Sequence, residues 1–432
     1  MSVSVKQIIF INEYPFLYGG TEHYIYQVAR QLKDSGYHTT LMYSGIHLPD
    51  KKIASSFDDL FPIIDIDSQL KEMPEGIIYI NNYRDPKLIE TLTEVKNPVF
   101  RYIHDHYLTC PRSSKTSPIS NETCTKKVGL SCYNCGVVSR PEGKIKIRTP
   151  NATKKELEYH NKFNNIIVSS QYLQREMTRN GVLHKRITIN PIYQSNLFEH
   201  SKIKIVKKHS QILFVGSLIK GKGVDLLIIA LSQIRHSFHL KIIGDGAWMQ
   251  RLKDLAKKNS SASTIEFLGN ISHDKLAHYY KESKAVIVPS SLPETFSKAG
   301  ADGLHFGTLP ICADVGGISS WLKPEKNGVL FQGGSIEDLS KCLCNLAEKK
   351  YDHIIEKIRY TPSTLPSIQQ HTNRLLEIFN LELNRRIPPK KYSYSENEQF
   401  INIMDKTCEQ FKGIALKHLG KKVVNSIILI GG

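Results

Sequence analysis

One acidic residue stands where an apolar run of the sequence gives way to a predicted helix. Glu294 follows the run KAVIVP at 284–289 and precedes Thr-Phe-Ser-Lys, with which the helix begins. The first turn of a helix has N–H groups without intrahelical acceptors and carries the positive end of the helix dipole. The backbone amides of Phe296, Ser297 and Lys298 are therefore candidates for binding a phosphate group. The alternative is that Ser297 serves only as the N-cap of the helix.

A second candidate site lies upstream, in the segment VGSLIKGKGVDLL, where a strand is followed by a glycine-rich loop and a helix. Gly216 begins this loop, and Lys220 and Lys222 lie between its glycines. Glycine allows the backbone to approach a ligand closely, and a lysine ammonium can neutralise a diphosphate. The alternative is that the two lysines only keep an exposed loop soluble.

The first half of the chain predicts a parallel sheet whose loops collect at one edge. The strand KQIIFIN is followed by a loop with Gly19 and Gly20, then by a helix and the strand HTTLMYS. Apolar residues recur at helical spacing in this helix, at Ile25, Val28, Ala29 and Leu32. Further apolar strands are predicted near 76–82, 99–105 and 164–170. Short apolar strands that alternate with helices are typical of a parallel sheet covered on both faces.

The same alternation restarts after residue 200, which predicts a second sheet. Its strands begin with ILFVGSL at 212 and include FHLKIIGDG, TIEFLGN and KAVIVPS. At 432 residues the chain exceeds the size of most single cores, so two domains are expected. We predict two doubly wound Rossmann-like α/β domains over 1–199 and 200–365, and a helical segment and tail over 366–432. Ligands of such sheets bind at the carboxyl ends of the strands.

Four of the eight cysteines cluster in the polar, turn-rich loop 106–136 of the first domain. They are Cys110, Cys124, Cys132 and Cys135, and the last two have the spacing Cys-x-x-Cys. In a cytosolic protein, clustered thiols more often bind a metal than form disulfides, and four thiolates make a closed structural zinc site. We predict structural zinc here. A disulfide-bonded loop and free thiols are the alternatives, and His106 could replace one cysteine as a ligand.

The net charge of +17 predicts an anionic partner: a nucleotide, a nucleic acid or an acidic membrane surface. No arginine-rich stripe or aromatic RNA-binding motif supports a nucleic acid. The sequence shows neither a secretory signal nor an apolar stretch long enough to span a bilayer, so we expect a cytoplasmic protein. The helical apolar spacing of the tail after 386 predicts one or two amphipathic helices that pack on the body of the protein. The alternative is peripheral attachment to the inner face of the plasma membrane through this tail and its lysines. The tail residues concerned are Phe400, Ile403, Met404, Phe411, Ile414, Lys417, Lys421 and Lys422.

Several motifs taken together resemble glycosyltransferase family 4. The resemblance is carried by GGTEHYIYQVARQLKDSGYHTTLMYS in the first half, and by ILFVGSLIKGKGVDLLIIAL, LKIIGDGAWMQRLKDLA, the segment 265–322 and NGVLF in the second. It covers roughly residues 6–380 and is dense only over 212–331. It implies the GT-B fold, in which two Rossmann-like domains face each other across a cleft. It also implies transfer of a sugar from a nucleoside diphosphate donor with retention of configuration and without a catalytic metal.

The resemblance also assigns roles on the donor side. Glu294 matches the first of two acids that the family separates by seven residues, and it is expected to contact the donor sugar. The second acid, expected on the ribose, falls on Asp302, where the family has the longer glutamate. Lys222 matches the lysine that contacts the diphosphate. An arginine that usually accompanies this lysine is replaced by Ser217, and Lys220 or Lys298 could supply the missing charge.

On the acceptor side, Gly19 and Gly20 match the family's glycine loop. His104, in YIHDHY, matches a histidine of the active site, although it could instead only cap a strand or bind a metal. The implied acceptor is a glycan or a lipid-linked sugar, as in surface polysaccharide synthesis. The alternatives are a sugar-phosphate or trehalose-type synthase, a noncatalytic partner of a transferase and, from another class, a nucleic-acid-binding protein.

Overall fold

The computed structural model describes residues 6–72, 74–117, 123–135, 138–139, 145–194, 208–259, 262–360, 364–384 and 427–429. The chain divides into two compact units. Unit 1 comprises 1–120, 124–190 and 372–432, and unit 2 comprises 121–123 and 191–371. The sequence predicts the boundary near 200, whereas the division falls between Asn190 and Pro191. The apolar tail residues from Phe400 to Ile414, Cys408 and the lysines from Lys417 to Lys422 lie outside the described residues.

Unit 1 is built on a parallel sheet of seven strands in the order β3-β2-β1-β4-β5-β8-β9. The strands up to residue 190 are β1 (Gln7–Asn12), β2 (His38–Ser44), β3 (Asp59–Ile63), β4 (Ile77–Ile80), β5 (Val99–Ile103), β6 (Val138–Ser139), β7 (Ile145–Ile147), β8 (Asn165–Val168) and β9 (Ile187–Ile189). Its helices up to that point are α1 (Gly20–Asp34), α2 (Lys51–Ser55), α3 (Ile66–Lys71), α4 (Pro86–Thr91), α5 (Pro150–His160) and α6 (Gln171–Arg179). The apolar face predicted for α1 is confirmed, because Ile25, Val28, Ala29 and Leu32 are all buried.

Unit 2 contains a parallel sheet of six strands in the order β12-β11-β10-β13-β14-β15. These strands are β10 (Lys208–Val215), β11 (His239–Ile243), β12 (Thr264–Gly269), β13 (Ser283–Val288), β14 (Leu309–Ala313) and β15 (Val329–Phe331). The helices are α7 (Val224–Ser232), α8 (Met249–Lys258), α9 (His273–Glu282), α10 (Lys298–His305), α11 (Ile336–Ala347) and α12 (Asp352–Tyr360). Every residue of β13 is buried, as expected for a central strand covered by helices on both faces.

The last described helix, α13 (Ile368–Asn384), returns the chain to unit 1. The Phe379 ring lies 4.5 Å from that of Phe100 on β5, centroid to centroid. The beginning of the segment 366–432, for which the sequence predicts helix and a tail, therefore contributes to the core of the first sheet. A short strand, β16 (Ile427–Leu429), pairs with β7 in a small sheet that also contains β6.

The predicted fold class, two parallel-sheet α/β domains, is confirmed. In each unit, most candidate site residues lie in the loops after the strands or at the start of the next helix. These loops meet because parallel strands all end at the same edge of their sheet. In the part of the chain that the structure describes, we find no helix long and apolar enough to cross a membrane.

Candidate active site

Two side chains from separate sequence motifs of unit 2 form an ion pair. Lys222 Nζ lies 2.7 Å from Glu294 Oε1, and the side chains of the lysine and the glutamate are 28% and 12% exposed. The same carboxylate oxygen accepts a hydrogen bond from Ser290 Oγ at 2.5 Å. Lys222 belongs to the loop after β10 and Glu294 to the loop after β13, and these strands are neighbours in the sheet. The structure thus places an ammonium group and a carboxylate side by side at the carboxyl edge of the sheet.

Glycines make this approach of the loops feasible. Gly223 has a φ of 73°, and a Cβ atom added there would lie 1.8 Å from the carbonyl oxygen of Pro289. Gly316 has a φ of 64°, and its added Cβ would lie 2.1 Å from the carbonyl oxygen of Glu294. The next residue, Gly317, donates its N–H to that same oxygen at 2.6 Å. The backbone of Glu294 is therefore held by a turn that only glycine accommodates.

Helix α10 begins at Lys298, shortly after Glu294, and the backbone at its N-cap has an uncommon geometry. Ser297, its N-cap residue, has a left-handed backbone with a φ of 67° and makes no side-chain capping hydrogen bond. The structure therefore places Ser297 at the N-cap position, as the alternative interpretation expects, but its side chain does not cap the helix. Phe296 is buried, and its carbonyl accepts a hydrogen bond from Trp321 Nε1 at 2.5 Å. A left-handed residue other than glycine or asparagine costs free energy and is often found at functional sites.

Asp302 is paired within the same helix. Lys298 Nζ lies 2.9 Å from Asp302 Oδ1, and only 5% of the aspartate side chain is exposed. The lysine also donates to the carbonyl of Tyr193 at 3.3 Å. Lys298 is thus held by Asp302 and Tyr193, whereas Ser217 and Lys220 lie exposed on the loop after β10.

A buried glutamate that the sequence analysis missed fixes the glycine loop of unit 1. Glu22 is 2% exposed, and its Oε2 accepts a hydrogen bond from the N–H of Gly19 at 3.0 Å. Its Oε1 accepts from Asn12 Nδ2 at 3.3 Å. Burial raises the pKa of Glu22, and the hydrogen bonds it accepts only partly offset this. The three-residue spacing between Gly19 and Glu22, which resembles a capping box, is the signal that could have identified it.

His104 belongs to the same network of hydrogen bonds at the end of the first sheet. Asn12 Oδ1 accepts from the N–H of Asn82 at 3.0 Å, and the neighbouring Asn81 places its Oδ1 3.0 Å from His104 Nε2. The rings of Tyr24 and Tyr102 pack against the imidazole, with centroids 4.9 and 4.7 Å away. The network therefore connects the loops after β1 and β4 to His104 at the end of β5. A small pocket there is lined by Asn81, Asn82, Arg84, Arg101, Tyr102, Ile103, His104, Asp105, Tyr107 and Leu108.

The four clustered cysteines lie near one another and are free thiols. The pKa of Cys132 is raised, chiefly by burial and in part by the thiols of Cys110, Cys124 and Cys135. The ammonium of Lys115 orders this loop, because it lies 2.8 Å from Glu176 and donates to the carbonyls of Thr109 and Lys126. Among the described residues, no group of three or more His, Cys, Asp or Glu side chains is arranged so that it could hold a metal ion. Zinc binding therefore stays a prediction.

Metal analysis tests this prediction directly. Protein purified under reducing conditions is expected to carry about one zinc per chain, and a variant with Cys132→Ser and Cys135→Ser to carry none. Its unfolding midpoint should also fall, since structural zinc contributes to folding free energy. Cys344→Ser, which changes a partly exposed thiol of unit 2, is the control and should leave both values unchanged. Wild-type protein without zinc would contradict the prediction.

The sequence of this chain is similar to those of known glycosyltransferases. Residues 196–359 match the family model described as Glycosyl transferases group 1. An uncharacterized glycosyltransferase of Methanocaldococcus jannaschii is 25% identical over 338 residues, which cover 77% of this chain and 86% of that protein. The lipopolysaccharide 1,2-N-acetylglucosaminetransferase of Salmonella typhimurium is 25% identical over 251 residues, which cover 50% of this chain and 63% of the other.

Solved structures show the same fold. HepE of Anabaena, crystallised in complex with UDP-glucose, superposes with a TM-score of 0.65 at 15% identity, over 87% of this chain and 99% of that one. Identity at this level is informative about fold alone. Together, the matches show that this chain carries a glycosyl transferases group 1 domain and has the two parallel-sheet α/β units of the GT-B glycosyltransferases.

Proposed function

We propose that the protein is a retaining glycosyltransferase that moves a sugar from a nucleoside diphosphate donor to a glycan or lipid-linked acceptor in surface polysaccharide synthesis. The observation that carries the proposal is the pair formed by Lys222 and Glu294 beside the start of α10. A cation, a carboxylate and helix-terminal amides at one sheet edge match the diphosphate and hydroxyl groups of such a donor.

The chemistry assigns a role to each group. When the bond between the sugar and the diphosphate breaks, its electron pair stays on the departing phosphate oxygen, and the sugar gains oxocarbenium character. The Lys222 ammonium and the amides of Phe296, Ser297 and Lys298 stabilise that developing negative charge. Glu294 orients the hydroxyls of the sugar. Because these groups supply the positive charge that a metal would otherwise provide, we propose that catalysis needs no metal ion.

The nucleotide and the acceptor have their own candidate groups. Asp302 remains our proposal for the ribose hydroxyls, and its pairing with Lys298 orients the carboxylate. Gly19, Gly20 and His104 are proposed to act on the acceptor side, where Glu22 and the asparagines hold them in place. The relatives support the substrate class: HepE was crystallised with UDP-glucose, and the Salmonella enzyme is named for transfer of N-acetylglucosamine.

A second candidate function is a noncatalytic partner of an active transferase. Two observations favour it. Ser217 occupies the position at which the family 4 resemblance places an arginine, and the shorter Asp302 replaces a glutamate and is tied to Lys298. Fewer cations would then face the diphosphate than in an active site of this type.

Release of nucleoside diphosphate from a panel of nucleotide sugars, without an acceptor, tests the proposed function. We expect slow hydrolysis of at least one donor, unchanged by omission of divalent cations from the assay. A noncatalytic partner would hydrolyse none of them. Hydrolysis that depends strictly on Mg²⁺ or Mn²⁺ would contradict the metal-independent mechanism while leaving the transferase assignment in place.

A further inference from the structure

Exposed apolar side chains are concentrated at the loops that follow β1, β2 and β3 in unit 1. Ile46 is 83% exposed, Leu48 88% and Ile64 83%, and Tyr18 is 61% exposed. We call Tyr18, Ile46, Leu48 and Ile64 the loop-tip patch. Of the eight large apolar residues that are exposed in the described chain, five fall in these loops or on the adjoining edge strand β3, which contributes Phe61. Single exposed apolar residues are common, but a concentration of them marks an interaction surface.

The loops that carry the patch are held together as one surface. Asp50, in the loop after β2, accepts a hydrogen bond from the N–H of Leu17 at 2.8 Å and donates its own N–H to the carbonyl of Pro15 at 3.0 Å. The ring of His47 packs against Tyr14 and Phe16, with centroids 5.2 and 5.4 Å apart. These contacts hold the loops after β1 and β2 against each other at the surface.

The loop after β3 joins the same surface. The three strands are neighbours in the order β3-β2-β1, so their following loops lie side by side. Gly45 packs so closely on the end of β3 that an added Cβ would lie 3.0 Å from the carbonyl oxygen of Ile63. Ile46 and Ile64, the next residue of each loop, therefore project from adjacent positions.

The chemistry of the patch fits the interface of a lipid bilayer. Transfer of aliphatic side chains that are more than four-fifths exposed into the acyl region of a bilayer is favourable in free energy, and tyrosine prefers the level of the headgroups. Two exposed lysines, Lys51 and Lys52, begin α2 directly beyond the patch, and the chain as a whole carries a net charge of +17. Of the acids near the patch, Asp50 accepts from the backbone N–H groups of Leu17 and Ile53, and the exposed Asp65 accepts from Ser68 Oγ. Lysines of this kind are attracted to anionic headgroups.

We propose that the loop-tip patch inserts into the interface of a membrane that contains anionic lipids. The loop that carries Tyr18 leads directly into Gly19 and Gly20, and therefore into the acceptor side of the proposed site. Insertion would bring that side to the membrane surface, where a lipid-linked acceptor resides. This last step rests on the proposed function, whereas membrane binding by the patch does not.

Vesicle binding by the full-length chain tests the proposal. A variant with Ile46→Ser, Leu48→Ser and Ile64→Ser is expected to bind phosphatidylglycerol-containing vesicles at least 10-fold more weakly than wild type in a sedimentation assay. The matched control carries Tyr360→Ser and Leu381→Ser, two exposed apolar positions elsewhere that are 87% and 52% exposed, and should bind like wild type. Both variants should keep the wild-type unfolding midpoint, since no core contact is removed.

A second measurement reports insertion directly. The fluorescence of Leu48→Trp should shift to shorter wavelength when the vesicles are added, whereas that of Tyr360→Trp should not. Equal vesicle binding by wild type and the patch variant would overturn the proposal, as would equal binding to neutral and anionic vesicles. Loss of self-association or of a protein complex in the patch variant, with vesicle binding unchanged, would assign the patch to a protein partner instead. Donor hydrolysis without acceptor should be the same in wild type and the patch variant, so failure of the proposed function can be told from failure of this proposal.

Discussion

Replacement of Lys222 with alanine is expected to lower kcat by about 10²- to 10³-fold, or roughly 3 to 4 kcal/mol of transition-state stabilisation. The lysine lies 2.7 Å from Glu294. Negative charge builds on the diphosphate only as the bond to the sugar breaks. The contact with Lys222 should therefore strengthen in the transition state. The loss is expected in kcat more than in KM, because only interactions that strengthen in the transition state speed the chemical step.

Glu294→Gln is expected to lower kcat about as much as Lys222→Ala does, but for a different reason. The amide keeps the size of the side chain and can still accept from Ser290, but it lacks the charge that balances Lys222 and binds sugar hydroxyls strongly. Nucleoside diphosphate binding, measured by calorimetry, should change little in this variant, whereas Asp302→Ala should weaken it through the ribose. Lys326→Ala, an exposed lysine of the same unit, is the control for a loss of positive charge alone. Near-normal turnover by both Lys222→Ala and Glu294→Gln would show that this is not the catalytic site.

Much of this donor-side arrangement is visible in the sequence. Apolar runs predict β10 and β13, and the rule that parallel strands end at one edge predicts that their following loops meet. The glycines around Lys222 predict close approach of the backbone to a ligand, and in the structure Gly223 lies against the backbone of Pro289. Gly316, which the sequence does not single out, lies against the backbone of Glu294. The left-handed backbone of Ser297 has no such signal, because serine at that position is equally compatible with an ordinary side-chain cap.

The acceptor-side supports are not visible in the sequence, because their partners are distant in the chain. The pairing of Asn12 with Asn82 joins residues from two loops, and each asparagine alone is unremarkable in a turn. The return of α13 to Phe100 likewise depends on a long-range contact that helical periodicity does not specify. Local patterns determine the elements, whereas the match between distant polar side chains emerges only when the sheet order is known.

The clearest example of such long-range polar contacts is a buried charge cluster beside the loop that begins with His104. Glu156 on α5 is 2% exposed and pairs with two buried arginines: Arg148 Nη2 lies 2.7 Å from Oε2, and Arg101 Nη1 lies 3.8 Å from Oε1. His160 accepts from Arg101 Nη1 through its Nε2 at 2.7 Å and donates from Nδ1 to the carbonyl of Glu156. The imidazole is therefore neutral, and burial together with Arg101 holds its pKa well below the ordinary value.

This cluster positions the loops that lead to the acceptor side. Arg101 Nη2 donates to the carbonyl of Tyr83 at 3.0 Å, in the loop after β4. Arg148 donates to the carbonyl of Tyr107, and its guanidinium carbon lies 3.7 Å from the centre of the Tyr107 ring. Arg101 thus holds the loop after β4, which contains Asn82, and Arg148 holds the loop after β5, which begins with His104. Both arginines pair with the carboxylate of Glu156.

Glu156→Gln is accordingly expected to lower the free energy of unfolding by about 3 to 5 kcal/mol, because it leaves two buried guanidinium groups without a counter-charge. Denaturant titration measures this loss. Glu158→Gln, two residues along the same helix and exposed to solvent, is the matched control and should shift stability by less than about 0.5 kcal/mol. Adding Arg148→Met to Glu156→Gln should recover part of the loss, since removing one unpaired charge relieves its desolvation cost. A Glu156→Gln variant as stable as wild type would mean that water reaches the two arginines, and the loops around His104 would then be held by their other contacts.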